Sequence, residues 1–234
     1  MSEIFIFGYG SFQNFNSIEK TVLSIKYNEV DIEFLKKNIC KNCITIFNEA
    51  FEYDKYIRIV RVNNIKRGWF FNVNNENKIT KPWIALGVYQ SEGFTCNGTL
   101  FPVTEEQLSN IDLRECGYAR KILDKNNIEL IKGLEMPDNA IIYYYTLEES
   151  EVREPTDIYP ILQSYVDLCM TGCILIDQML ENKNYEYTNE FVKTTYNWNE
   201  YKYWINDRVY PRRPTIYIQF ANIIDKILSK TILN

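Results

Sequence analysis

The chain has 234 residues, of which 46% are apolar, and carries 26 basic against 31 acidic side chains for a net charge of -5. That is enough apolar material for a full core, as one domain or one domain with an appendage. The mild acidity and the lack of a long basic run argue against a nucleic-acid partner. No apolar run is long enough to cross a bilayer and no basic flank precedes the first apolar stretch, so the expectation is a cytoplasmic protein without signal peptide, anchor or membrane partner.

Histidine is absent and cysteine occurs six times. The first fact removes Ser-His and Cys-His nucleophile pairs and His-containing zinc sites, leaving acid-base work to carboxylates, lysines or tyrosines. Six cysteines in a chain of this length are too sparse for a disulfide scaffold. Cys40 and Cys43 have half-site spacing and Cys169 and Cys173 would share a helix face, but a four-thiolate zinc site would want knuckle glycines and a second pair at two-residue spacing. Buried thiols, with no metal and no cofactor, are expected instead.

In chain order, Ile4-Phe5-Ile6-Phe7 reads as a buried strand stopped by Gly8 and Gly10. A helix is placed over Ile32 to Asn38. Strand character follows at Ile57 to Val62, Gly68 to Val73, Trp83 to Tyr89 and Gly98 to Val103, divided by Asn- and Gly-bearing turns, which predicts a barrel or a curled sheet. Thr104-Glu105-Glu106-Gln107 fits a capping box, opening a helix with Leu108 and Ile111 inward. Gly117 is a natural stop for it, so the helix should end near Glu115 and Tyr118 to Leu123 should be extended. Ala140 to Thr146 is the last clear strand. The charged stretch Glu148 to Glu154 marks a soft boundary between a core at 1–150 and a helical extension at 151–234, with helices over Ile158 to Leu180 and Gln219 to Leu233. The fold class is α+β, a mixed sheet or small barrel flanked by helices.

Two places could carry chemistry. The turn after the first strand could gather the amides of Tyr9, Gly10, Ser11 and Phe12 around an anion, because glycine lets successive N-H groups converge. Its bland alternative is an ordinary turn. Glu115 stands where a capped helix returns to a strand, although most glutamates are merely solvated.

Together the two pieces resemble a known family. Phe7-Gly8-Tyr9-Gly10-Ser11 is similar to the N-terminal loop of γ-glutamyl cyclotransferase-like proteins. Gly98 to Leu108, leading into Ile111-Asp112-Leu113-Arg114-Glu115-Cys116-Gly117-Tyr118-Ala119-Arg120, resembles their strand, helix and catalytic-glutamate segment. The resemblance covers about two-thirds of the chain, with gaps, and Phe12 stands where the family commonly has Leu or Asn. It implies that a substrate's own α-amine attacks its γ-amide carbonyl, giving 5-oxoproline and a free amine. Glu115 would be the general acid-base, and Gly8, Tyr9, Gly10, Ser11 and Phe12 would hold the substrate carboxylate or the developing oxyanion. The family also supplies a pocket tyrosine, for which Tyr118 and one of Tyr143, Tyr144 and Tyr145 qualify; strand alternation does not choose among the last three, and Tyr144 is named as the candidate.

In Asn206 to Pro214 the arginines between prolines either bind a substrate carboxylate, with Arg212 as the candidate, or fasten the last helix by salt bridges, the favoured role. The competing overall reading is a non-catalytic small-molecule-binding or regulatory module on the same fold. The small-molecule γ-glutamyl substrate, its leaving amine and the oligomeric state are not specified by the residues.

Overall fold

The computed structural model describes residues 3–15, 17–18, 57–74, 81–180, 185–198, 201–212 and 220–232. The expected helix at 32–38, the Cys40-Cys43 pair and the end of the Arg-Pro block at Arg213 and Pro214 lie outside them. Among the described residues nine strands form one sheet, with four α-helices.

Strand β1 (Ile4–Gly8) is apolar throughout because its side chains are buried on both faces of the sheet, and it is paired at both edges, with β3 (Trp83–Val103) antiparallel and β6 (Ile141–Thr146) parallel. The path runs β4-β6-β1-β3-β2-β5, where β2 is Arg58–Val73, β4 is Ala119–Ile122 and β5 is Ile128–Lys132. Parallel and antiparallel pairs in one sheet make this the expected α+β arrangement.

The four expected strands between Ile57 and Val103 are two long ones, β2 and β3, paired over almost their whole length. The residues that read as turns are irregularities inside them. Asn64 takes φ 60° at a register shift and Gly93 takes φ 79°, and the Gly93 amide donates to the Asn64 side chain across the pair. A bulge needs the same left-handed residues as a tight turn, so composition does not separate the two.

Helix α1 (Glu105–Arg114) has the full capping box: the Thr104 hydroxyl accepts from the Gln107 amide and the Gln107 side chain accepts from the Thr104 amide. Leu108 and Ile111 are buried beneath it. Gly117 is not its left-handed stop, since Glu115 is the C-cap and Gly93 and Gly133 are the glycines with positive φ among the described residues. Glycine is required at 117 because a Cβ there would lie 2.3 Å from the Phe71 ring.

From position 151 onward the chain adds β7 (Ile161–Leu162), α2 (Gln163–Met179), α3 (Tyr187–Lys193), β8 (Thr195–Tyr196), β9 (Trp204–Ile205) and α4 (Ala221–Ile232). The two-residue strands join the same sheet, β7 on β3 and β9, β8 on β2. Helix α2 is buried along most of its length. None of the described helices is long and apolar enough to cross a membrane.

Arg208 fastens this part of the molecule. Its guanidinium donates to both Asp167 oxygens at 2.7 Å and to both Asp225 oxygens at 2.8 Å, tying α2 to α4. Asp207 beside it accepts from Ser164 and from the Arg212 amide.

Candidate functional site

The chain leaves β1 at Tyr9, and that residue is gripped at both ends. Its hydroxyl donates to the Tyr145 carbonyl at 2.8 Å, and its own carbonyl accepts from Gln13 Nε2 at 2.7 Å and Arg67 Nη1 at 3.2 Å. Arg67 is fully buried, and its other donors go to neutral oxygens of Asn97, Phe191, Thr194 and Thr195. Residues after position 151 thus help hold the first loop.

Residues Ser11–Gln13 form one 3-10 turn, closed by Gln13 and Asn14 amides onto the Gly10 and Ser11 carbonyls. As at any helix start, the first amides have no internal acceptor. Among the described residues those of Gly10, Ser11 and Phe12 donate no hydrogen bond. Gly8 and Gly10 do not adopt left-handed angles, contrary to the expectation from glycine's freedom; Gly8 is small because of its neighbours, while Gly10 has φ -127° and ψ -120° with room beside it. A Cβ on Gly8 would come within 2.6 Å of Phe12 Cβ, and one on Gly10 within 3.4 Å of the Tyr165 hydroxyl and 3.6 Å of Leu86. Gly172 on α2 serves the loop from behind, where a Cβ would lie 2.5 Å from the Gln13 carbonyl oxygen.

Glu115 reaches this loop through its neighbour. Arg114 Nε lies 3.1 Å from Glu115 Oε1, while Arg114 Nη2 donates to Ser11 Oγ at 2.8 Å and the guanidinium sits 4.2 Å above the Phe12 ring. The Glu115 side chain is 17% exposed. Burial pushes its pKa up, and the charge of Arg114 pulls it partly back. The phenols of Tyr9 and Tyr118 are raised well above the tyrosine range, chiefly by burial and in part by the Glu115 charge.

The turn that carries Glu115 is pinned on two sides. Gly117 lies close against the Phe71 ring, and Tyr118, packed on the same ring at 4.2 Å, donates its hydroxyl to the Leu86 carbonyl at 2.8 Å. Asp112, three residues before Glu115, accepts from Tyr145 at 2.7 Å and from Arg120 at 2.5 Å. Those bonds tie the end of α1 to β6 and β4, which is a physical reason for an acid at that spacing.

The three tyrosines of β6 separate by face. Tyr143 lies under Arg120 and Tyr145 reaches Asp112, both toward α1, whereas Tyr144 alternates to the other face and is buried there. Phe12 packs between Arg114 and Phe101. Arg212 contacts Asp207 through its amide, and among the described residues no contact joins it to Glu115 or the loop.

Three neighbours carry no sequence signal. Leu86 contacts both Gly10 and Tyr118; Tyr165 from α2 closes on Gly10; and Trp69, the cross-strand partner of Leu86, stacks edgewise on Tyr165 at 5.9 Å. Trp69 is fully buried, yet its indole N-H has no hydrogen-bond partner among the described residues. Only pairing register and helix docking assemble them, and neither is periodic in sequence. A separate cavity of about 350 Å³ is lined in part by Arg61, Glu186, Glu190 and Lys193, and there Arg61 holds the Glu190 carboxylate at 2.6 Å.

No protein-family model and no curated protein matches the chain. Solved structures do. A γ-glutamyl cyclotransferase superposes over 96% of this chain and 99% of its own, with a TM-score of 0.53 at 12% identity. A human protein described as uncharacterized superposes over the same shares, with a TM-score of 0.50 at 13% identity. At such identities the likeness speaks for the fold, and the fold of this chain is that of the γ-glutamyl cyclotransferases.

Proposed function

We propose that the protein cyclises a γ-glutamyl amide or amine to 5-oxoproline, releasing the amine. The observation that carries this reading is the largely buried Glu115 carboxylate, linked through one arginine to the loop at the end of β1, on a cyclotransferase fold.

The chemistry needs little from the protein. The substrate supplies its own nucleophile, so folding the γ-glutamyl chain into an attack geometry replaces a bimolecular encounter and contributes about 7 kcal/mol or more. Glu115 takes a proton from the α-ammonium, and the freed amine attacks the γ-carbonyl carbon. A carbon-nitrogen bond forms, the carbonyl pair moves to oxygen, and the amides of Gly10, Ser11 and Phe12, which donate no hydrogen bond among the described residues, serve the charge that develops there. The pair then returns, the original amide bond breaks, and Glu115 hands its proton to the departing nitrogen; the second proton shed by the ring nitrogen follows through the same carboxylate, so the amine leaves as its ammonium. No water or redox partner is consumed. A carboxylate raised by burial is suited to both halves, since proton exchange is most effective when its pKa approaches the working pH.

The test is 5-oxoproline release from a panel of γ-glutamyl amides, followed by chromatography. Release by the native protein supports the reading. Failure with every member would replace it with a binding module on the same fold.

A further inference from the structure

The site contains a cation that the mechanism above does not use. Arg114 stands between the proposed base and the loop, touching Glu115, Ser11 Oγ, Ser17 and the Phe12 ring, and its side chain is 30% exposed. The other cations nearby are committed: Arg67 is sealed in the core against neutral oxygens, and Arg120 is held by Asp112. A γ-glutamyl substrate brings an α-carboxylate that must leave water at this spot. An anion is most stable where a planar, forked donor meets it, and a guanidinium supported on an aromatic face is such a donor.

We infer that Arg114 is the residue that binds the substrate's α-carboxylate, exchanging its contact with Glu115 for the substrate and leaving the loop amides to the γ-carbonyl oxygen. The inference rests on the proposed activity and deepens it in two ways. It makes a free α-carboxylate a requirement for recognition, so γ-linked glutamyl compounds are accepted and descarboxy analogues are not. It also makes the substrate prepare its own base. While Arg114 lies beside Glu115 it favours the carboxylate form; once the guanidinium turns to the substrate, Glu115 is left with its burial and with the neutral phenols of Tyr9 and Tyr118, behind which Tyr165 stands. These, with Arg114, are the titratable groups facing it among the described residues. Its affinity for the incoming ammonium proton rises at the moment of transfer.

The experiment crosses two deletions. The native protein, Arg114→Gln and Arg114→Lys are each assayed on the γ-glutamyl amide turned over fastest in the panel and on the 4-aminobutanoyl amide of the same amine, which lacks the carboxylate and would cyclise to 2-pyrrolidinone. Native protein should prefer the γ-glutamyl amide by about 10- to 100-fold in kcat/KM, as expected for a charge-assisted pair. Arg114→Gln should bring the ratio close to one, with most of the loss in KM, and Arg114→Lys should keep part of it. In the native protein the acid limb should lie higher in kcat, which reports the complex, than in kcat/KM, which reports the free enzyme, and the gap should close in Arg114→Gln. An equal loss on both substrates, or a ratio that survives in Arg114→Gln, overturns the inference while the cyclotransferase reading stands. If the native protein releases no 5-oxoproline, both fall together. Thermal melting of each variant separates lost recognition from lost folding, and the lysine variant keeps the test open if the glutamine variant does not fold.

Discussion

Replacing Glu115 by glutamine keeps the shape of the side chain and removes only its capacity to exchange a proton. General acid-base catalysis by a positioned group contributes about 10²- to 10⁴-fold, so kcat should fall by that factor, equivalent to about 3–5 kcal/mol in the barrier. Stability should move the other way. Burial raises the Glu115 pKa in the folded state above the ordinary 4.5, with Arg114 offsetting only part of it. A carboxyl that holds its proton more tightly when folded makes ionisation a cost to folding at neutral pH. The glutamine variant is relieved of that cost, so its melting temperature should exceed the native one at pH 7, and the difference should shrink to nothing as the pH falls through the native value to the unfolded one. The assay is steady-state 5-oxoproline release beside melting curves at several pH values. In the native protein kcat/KM should decline on the acid side with an inflection above 4.5. Activity within twofold of native, together with lower stability, would refute the reasoning, because that combination belongs to a glutamate kept for packing.

Three further outcomes follow from the contacts. Gly172→Ala places a methyl group 2.5 Å from the Gln13 carbonyl oxygen, and overpacking of this kind costs about 1–3 kcal/mol; urea unfolding should show it, and kcat/KM should drop although the site is untouched in composition. Arg67→Lys leaves several buried acceptors without donors and should destabilise by about 3 kcal/mol, with a loss of turnover through the Tyr9 carbonyl that Arg67 holds; unchanged melting would show that Gln13 alone suffices. Arg208→Ala strands the Asp167 carboxylate, whose side chain is fully buried, at a cost of about 3 kcal/mol, and adding Asp167→Asn should recover part of it, since the penalty is that of an uncompensated charge. If the second substitution deepens the loss, the pair is not what holds α2 to α4.

The parts that local chemistry dictates were legible from the residues in order. A continuous apolar run demanded a strand buried on both sides, which β1 is, and Thr104 with Gln107 could satisfy two orphan amides only by starting a helix, which α1 does. Because α1 is ten residues long and closes on Glu115, the capping box also set the height at which the proposed base emerges. What local chemistry could not decide was anything requiring a partner distant in the chain. Asn64 and Gly93 carry the composition of turns but sit in bulges, because β2 and β3 find more pairing by continuing past them than by breaking. Gly117 and Gly172 resemble a helix stop and a weak helix position, whereas each is glycine for the sake of atoms across the molecule, Phe71 and the Gln13 backbone.

The same division runs through the site. The family resemblance named Glu115 and the loop from Gly8 to Phe12 as candidates, since residue type and spacing by themselves set Glu115 no higher than Glu106 or Asp112 and leave the loop an ordinary turn. Tertiary structure alone brought Arg114 onto Ser11, set Leu86 between Gly10 and Tyr118, and let the buried Arg67 join Phe191, Thr194 and Thr195 to the Tyr9 carbonyl. A side chain's chemistry is written in its letter, but its neighbour is decided by how sheets register and helices dock, and those depend on the whole core at once.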